Sequence, residues 1–401
     1  MGERSARPRV AGTVIALGAV SLLTDVSAEM VTAVLPLYLV VGLGLSPLQF
    51  GFLDGLYTGA TALARLLGGH AADRWQRRKL VAGIGYGISA VAKLGLLAAG
   101  ASATAIGTVL TADRAGKGIR TAPRDALISL SSHPADLGRA FGVHRAMDTA
   151  GALAGPLVAV GLLWLTFGAY DAVFVTSFCF AALGVVVLLL FVREPRVRER
   201  QVAPGRARAA VSVRAAFGLL AEARFRRVCV TASLLGLVTI SDAFLYLLLQ
   251  QRLDLAVAYF PLLPLGTAAT YLLLAVPLGR LADRIGRRRV FLGGQVALLA
   301  ACLLLLGPLG GAGLAVACLA LHGAYYAATD GVLMALSAAT LPERLRSSGL
   351  ALLGTGQALG RLVASVLFGA AWVAWGSGPA LTAAAVALAA VTLLAVPGRL
   401  E

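Results

Sequence analysis

The chain has 401 residues, of which 59% are hydrophobic and only 13% are charged. Soluble domains carry about 25% charged residues, so this composition excludes an ordinary soluble protein and predicts a polytopic membrane protein. A formal net charge of +16 would suggest nucleic-acid binding if the basic residues formed one face of a soluble domain. They are spread over many segments instead, so we expect no nucleic-acid partner.

Long apolar segments, separated by turn residues or charges, predict twelve membrane-spanning helices. These segments are too long to be the strands of a membrane barrel. The first six spans cover residues 11–41, 47–70, 80–100, 103–130, 138–165 and 171–192, and the last six cover residues 227–250, 256–279, 290–308, 313–338, 347–375 and 379–397. We therefore predict an N-terminal bundle at 1–192, a basic cytoplasmic linker at 193–226 and a C-terminal bundle at 227–401.

The basic residues predict the orientation of the spans. Most of the 35 lysines and arginines fall on the side of the amino terminus, and only Arg252 falls in a loop on the opposite side. Because loops rich in lysine and arginine stay in the cytoplasm, both termini are expected to be cytoplasmic. We expect a multi-pass protein of the cell (inner) membrane in contact with the lipid bilayer.

Two loops repeat one pattern at equivalent places in the two halves: glycine, three residues, Asp-Arg, two residues and two arginines. The copies are Gly69, Asp73, Arg74, Arg77 and Arg78 after the second span, and Gly279, Asp283, Arg284, Arg287 and Arg288 after the eighth. Any cytoplasmic loop is rich in arginine, but that does not explain the matching glycine and aspartate. The repeat indicates an internal duplication.

These loops, in a six-plus-six arrangement with a basic linker, resemble the major facilitator superfamily of secondary transporters. The first copy has Gln76 where the family usually has glycine. The resemblance implies an all-α polytopic membrane protein, with twelve helices in two pseudo-symmetric six-helix bundles. It also implies a monomer, and a gating role for Asp73, Arg74, Asp283 and Arg284, which would latch the two halves at the cytoplasmic side.

A second motif lies in span five, at Gly142, Gly151, Gly155 and Pro156. It resembles the antiporter signature of drug-exporting members of this superfamily, although Val158 and Ala159 replace the usual paired glycines. We expect export over import on this basis. The alternative interpretation is ordinary tight packing, because small residues are common where membrane helices meet.

Ionisable side chains inside a span are costly, about 3 kcal/mol each on insertion scales, so they mark a pathway or a buried pair. The candidate substrate and proton pathway comprises Asp25, Glu29, Asp113, Arg114, Lys117, Arg120, Arg124, His144, Arg145, Asp148, Asp242 and Asp330. The resemblance implies that spans one, four, seven and ten line the cavity.

Span four carries the most charge, and positions 113, 117, 120 and 124 predict one polar stripe along a helix face. Two interpretations stay open: a fixed ion-pair network against Asp25 and Glu29, or a stripe that contacts substrate or relays protons. In span five, His144 and Asp148 are one turn apart, so the imidazole is expected to reach the carboxylate.

The sequence excludes ATP hydrolysis by this chain as the energy source. Lys79, Lys93 and Lys117 are followed by Leu80, Leu94 and Gly118, so no phosphate-binding loop for ATP is present. We expect no cofactor and no metal site, and a proton gradient as the driving force, with the proton carried by Asp25, Glu29 or Asp113.

We therefore predict a secondary transporter that exports a small hydrophobic or amphipathic compound in exchange for protons, by alternating access. An alternative is transport, in either direction, of an anionic metabolite or a siderophore-like compound. A polytopic membrane enzyme is the alternative from another class, but the sequence has no catalytic motif.

Overall fold

The computed structural model describes residues 12–75, 77–132, 137–194, 218–338 and 346–395. Within these ranges the regular structure is helical. The helices of the first half are α1 (Gly12–Leu37), α2 (Pro47–Trp75), α3 (Arg78–Ala98), α4 (Ala103–Leu130), α5 (Leu137–Leu165) and α6 (Tyr170–Phe191). Those of the second half are α7 (Ala223–Val238), α8 (Asp242–Leu253), α9 (Leu262–Ile285), α10 (Arg287–Leu306), α11 (Gly311–Ala338), α12 (Arg346–Trp375) and α13 (Ser377–Ala395).

Among the described residues, ten helical segments are long and apolar enough to cross a membrane. The predicted spans two and four are helices of 29 and 28 residues, α2 and α4, which suffices for a span. Their mean hydropathy is lower than that of the other ten segments because they carry more polar side chains. Helices α7 and α8 together form predicted span seven. The prediction of an all-helical polytopic membrane protein is confirmed.

The chain forms two compact units. The first comprises Met1–Val34 and Ala60–Arg200, and the second comprises Leu35–Gly59 and Gln201–Glu401. The end of α1 and the start of α2 are thus grouped with the second unit, although they precede the linker in sequence. The domain boundaries taken from the sequence, at 192 and 227, stay a prediction.

In the first unit, α3 and α4 cross at two glycines whose backbones touch. A Cβ atom on Gly85 would lie 2.7 Å from the carbonyl oxygen of Gly116, and a Cβ on Gly116 would lie 2.6 Å from that of Gly85. Only glycine permits this approach, which is typical of membrane helix pairs. The crossing brings Ser89 and Lys93 of α3 against α4.

Helices α1 and α5 of the first unit approach each other in the same way. A Cβ on Gly151 would lie 2.4 Å from the carbonyl oxygen of Leu22, and a Cβ on Gly155 would lie 2.8 Å from that of Val26. Side chains on this face of α1 are therefore held directly against α5. The polar face of α1 that carries Asp25 and Glu29 meets α4 and α5 here.

In the second unit, the transmembrane segment formed by α7 and α8 is interrupted. Residues Thr239 to Ser241 are not helical, and the Ser241 hydroxyl caps α8 by accepting a hydrogen bond from the backbone N–H of Phe244. The interruption leaves the last carbonyl groups of α7 without helical partners. Broken helices of this kind accompany binding sites in membrane transporters.

The close crossing of α3 and α4 can be tested with Gly85→Leu. The added side chain meets backbone atoms of α4, and overpacking of this kind costs about 1–3 kcal/mol. We expect a lower thermal unfolding midpoint for the purified protein in detergent. Gly87→Leu, on the same helix, is the control because a Cβ there meets nothing within 4 Å; an equal loss in both variants would show that the crossing is not tight.

Candidate functional site

Asp113 of α4 lies at the centre of a buried cluster in the first unit. Lys93 Nζ and Ser89 Oγ donate to its Oδ1, and Arg114 Nη2 donates to its Oδ2 at 2.8 Å. The side chains of Asp113, Lys93 and Arg114 are all at most 8% exposed. The two bases and the hydroxyl leave the carboxylate fully hydrogen bonded, so this cluster holds α3 and α4 together.

Asp25 of α1 is held much more loosely. Its Oδ1 lies 3.7 Å from Arg120 Nη2, which is longer than a hydrogen bond. The guanidinium of Arg120 also lies over the ring of Tyr86, with 4.5 Å between Cζ and the ring centroid, which is a cation–π contact. The Asp148 carboxyl adjoins the Asp25 carboxyl. Arg120 therefore has two partners, of which only Asp25 can change its charge.

A second long ion pair joins α1 and α4. Glu29 Oε1 lies 3.8 Å from Lys117 Nζ, and about a third of each side chain is exposed (29% and 31%). An exposed pair at this distance contributes about 1 kcal/mol or less. It is free to change partners.

The third group of charges lies between α1, α4 and α5. Arg124 Nη1 is 3.8 Å from Asp148 Oδ1 and donates to Ser21 Oγ at 3.2 Å, and Arg145 pairs with Asp148 at 3.3 Å. His144 Nε2 shares a hydrogen bond with Ser21 Oγ at 2.9 Å. The imidazole thus has Ser21 as its hydrogen-bond partner, and not Asp148 as the spacing predicted, because α1 packs closely on this face of α5.

The polar stripe predicted along span four has partners on several neighbouring helices. Asp113 faces Lys93 of α3, whereas Lys117, Arg120 and Arg124 reach acids of α1, α4 and α5. Neighbouring helices pack on both sides of the stripe, so long side chains that start from one helix face reach different partners.

The second unit contains a cluster around Asp242, the first residue of α8. Tyr326 Oη is 2.7 Å from both carboxylate oxygens, and His322 Nε2 is 3.2 Å from Oδ1. The other ring nitrogen of His322, Nδ1, lies 3.3 Å from the hydroxyl of Thr267. Sequence reasoning predicted neither Tyr326 nor His322 as a site residue. The only available signal was their spacing of one turn on one helix.

Two further acids of the second unit have partners from other helices. Ser365 Oγ donates to Asp54 Oδ2 at 2.7 Å, a contact that the sequence did not predict. Asp330, which was predicted, is exposed and lies beside Arg361.

The sequence pattern of the Major Facilitator Superfamily matches residues 17–269 and 244–400. An uncharacterized MFS-type transporter of Methanocaldococcus jannaschii is 30% identical over 293 residues, which are 70% of this chain and 68% of that protein. The chain belongs to the major facilitator superfamily. It is a transporter and not an enzyme.

Solved structures agree with a superfamily fold. The nucleoside transporter NupG matches with a TM-score of 0.80 and 16% identity, over 96% of this chain and 98% of that one. A bacterial homologue of the human lysosomal transporter Spinster, inward-facing and occupied, matches with a TM-score of 0.67 and 18% identity, over 96% of this chain and 94% of that one. At such identities the likeness concerns the fold alone.

Only part of the first superfamily loop lies within the described residues. The side chains of Asp73 and Arg74 lie outside the described residues, as does the environment of Gly69. The Arg78 backbone N–H donates to Glu194 Oε1 at 2.7 Å, and Arg77 is exposed.

In the second copy, Asp283 pairs with Arg287 at 3.4 Å. Arg288 donates to the carbonyl of Ala395 at 3.0 Å, while Arg284 is exposed and a Cβ on Gly279 would meet nothing within 4 Å. These contacts tie the loop to its own unit, and its gating role stays a prediction.

The two kinds of ion pair differ in their expected cost of disruption. Lys93→Met leaves Asp113 buried without one of its two bases, and breaking a buried pair costs about 3–5 kcal/mol. Glu29→Gln removes half of an exposed pair and costs about 1 kcal/mol or less. We expect thermal unfolding in detergent, together with the yield of folded protein, to show a large loss only for Lys93→Met. Equal stability of both variants would contradict a structural role for Lys93.

Proposed function

We propose that the chain is a proton-coupled exporter of a small hydrophobic or amphipathic compound. It works by alternating access as a monomer in the cell membrane, with both termini in the cytoplasm and the proton gradient as its energy source. The observation that carries the proposal is the position of Arg120 between the Asp25 carboxyl, 3.7 Å away, and the Tyr86 ring, 4.5 Å away.

The coupling step is the protonation of Asp25. A proton on this carboxyl removes the negative charge that holds Arg120, and it relieves the repulsion between the Asp25 and Asp148 carboxyls. Arg120 does not become an isolated charge when Asp25 is neutral, because the Tyr86 ring remains as its partner. Protonation therefore loosens the contact between α1 and α4 at a small energetic cost.

Asp113 and Asp242 are worse candidates for this step. Asp113 is held by two bases and a hydroxyl in a buried cluster, so a proton would have to break several strong contacts. Asp242 accepts a hydrogen bond from Tyr326 Oη, which lies 2.7 Å from both carboxylate oxygens. Among the described residues, the base nearest to Asp25 is beyond hydrogen-bonding distance.

The charge balance of α4 and α5 favours a hydrophobic or amphipathic compound over an anion. Lys117, Arg120, Arg124 and Arg145 each lie within 3.8 Å of an acidic side chain. An anionic metabolite would have to displace one of these acids before it met a positive charge.

The export direction rests on the antiporter-like motif. Gly151 and Gly155 allow α5 to pack closely against α1 at the turns that carry Asp25 and Glu29. A movement of α1 at Asp25 therefore displaces α5, the helix that carries the motif. A Cβ on Gly142 would meet nothing within 4 Å, so this position adds nothing to the contact.

The test is proton movement in proteoliposomes that contain the purified protein and a trapped pH-sensitive dye. Uncharged amphipathic dyes, Nile red among them, are added on the side that the substrate leaves, and the resulting pH change is recorded. We expect Asp25→Asn to abolish dye-driven proton movement because the amide cannot take up a proton. Asp171→Asn is the matched control, since this acid is exposed at the start of α6.

Tyr86 supplies a second pair of variants. Tyr86→Phe keeps the ring under Arg120 and should keep coupling, whereas Tyr86→Leu removes the ring and should slow proton movement by about tenfold, for a contact of roughly 1–2 kcal/mol. Undiminished proton coupling in Asp25→Asn, or equal effects of the two Tyr86 variants, would contradict the mechanism.

A further inference from the structure

A polar cavity lies inside the second unit, between the end of α7 and helices α10, α11 and α12. Its polar lining comes from Thr239, Gln295, Thr329, Asp330, Gln357 and Arg361. The cavity is partly open, and it leaves about 20 Å³ in which the centre of a water-sized molecule can move. Space of this size suits one polar group of a ligand and not a whole organic molecule.

Two groups in the cavity wall lack a hydrogen-bond partner among the described residues. They are the amide oxygen of Gln295, whose side chain is almost entirely buried, and Nε of Arg361. A buried polar atom left in this way costs about 1–3 kcal/mol, and native proteins keep few of them. One is an acceptor and the other a donor, and both belong to residues that line the same cavity.

Two further polar groups of the wall are already engaged. The hydroxyls of Thr239 and Thr329 donate to the carbonyl oxygens of Leu235 and Tyr325 on their own helices, at 2.6 and 2.7 Å. The hydroxyls can therefore only accept. The interruption of the membrane segment between α7 and α8 lies at Thr239, as in transporters whose broken helices form binding sites.

Charges of both signs lie around the cavity. Arg361 contributes a positive charge, and Asp330 in the cavity wall and Asp242 nearby contribute negative ones. Asp330 would repel an anionic group in the cavity, and Arg361 would repel a cationic group. An uncharged group that both donates and accepts hydrogen bonds avoids both of these repulsions.

We infer that this cavity binds an uncharged hydrogen-bonding group of the transported compound, a carboxamide or a hydroxyl, through the Gln295 amide oxygen and Arg361 Nε. The inference rests on the proposed function, because it assigns the polar end of an amphipathic solute to the second unit. The apolar part of that solute stays outside the cavity.

Three ligands of one shape test this assignment: benzamide, benzoate and benzamidinium, whose head groups are neutral, negative and positive. They are titrated against the purified full-length protein in detergent, and binding is measured by thermal shift. We expect benzamide to bind about tenfold or more tightly than either charged ligand. Gln295→Leu should weaken benzamide about tenfold, as expected for one lost hydrogen bond. Gln49→Leu, an exposed glutamine outside the cavity, should bind as the wild type does.

Arg361→Gln gives a readout that a merely structural role would not produce. It keeps a donor but removes the charge that balances Asp330, so the preference should change from benzamide to benzamidinium. Absence of binding by all three ligands, equal binding of the three, or unchanged benzamide binding in Gln295→Leu would overturn the inference.

The titration measures binding by the wild type, Gln295→Leu and Arg361→Gln, whereas the proteoliposome assay measures proton movement. The expected ligand preference together with intact proton coupling in Asp25→Asn would contradict only the proposed function.

Discussion

A charged side chain inside a bilayer must find its partner within the protein, because the lipid offers none. This constraint shapes the first unit. Helix α4 carries more charge than any other predicted span, and it is tolerated because α1, α3 and α5 bring partners to it. Contacts through Gly85, Gly116 and Gly151 bring backbones close enough for those pairs to form. The small residues and the charges are therefore parts of one arrangement.

The ion pairs fall into two classes with different consequences. The contacts within the cluster of Asp113, Lys93 and Arg114 are short and buried, and they contribute to stability. The pairs of Asp25 with Arg120 and of Glu29 with Lys117 are 3.7 and 3.8 Å long. A transporter needs contacts that reform in more than one state, and long pairs can exchange partners without breaking hydrogen bonds. We therefore propose that coupling uses the long pair of Asp25 and not the buried cluster of Asp113.

Much of the fold could be predicted from the sequence, because span length and hydropathy depend on local composition. The partners of the charged residues could not. Which base meets Asp25 or Asp113 depends on how helices rotate and cross, and no spacing within one helix encodes this. The same limit explains why the contact between His322 and Asp242, on different helices, was missed. The grouping of residues 35–59 with the second unit could not be predicted from the sequence either, because it depends on packing between helices.

The most direct test of the account is infrared difference spectroscopy on the reconstituted protein, which detects the C=O stretch of a protonated carboxylic acid inside the membrane. The spectrum in acidic buffer minus that in alkaline buffer is compared between the wild type and Asp25→Asn. The account predicts a protonated-acid band in the wild type that is absent from the variant, while the contribution of Asp113 stays constant. A band that persists in Asp25→Asn, or an Asp25 that stays ionised in every buffer in which transport runs, would contradict it.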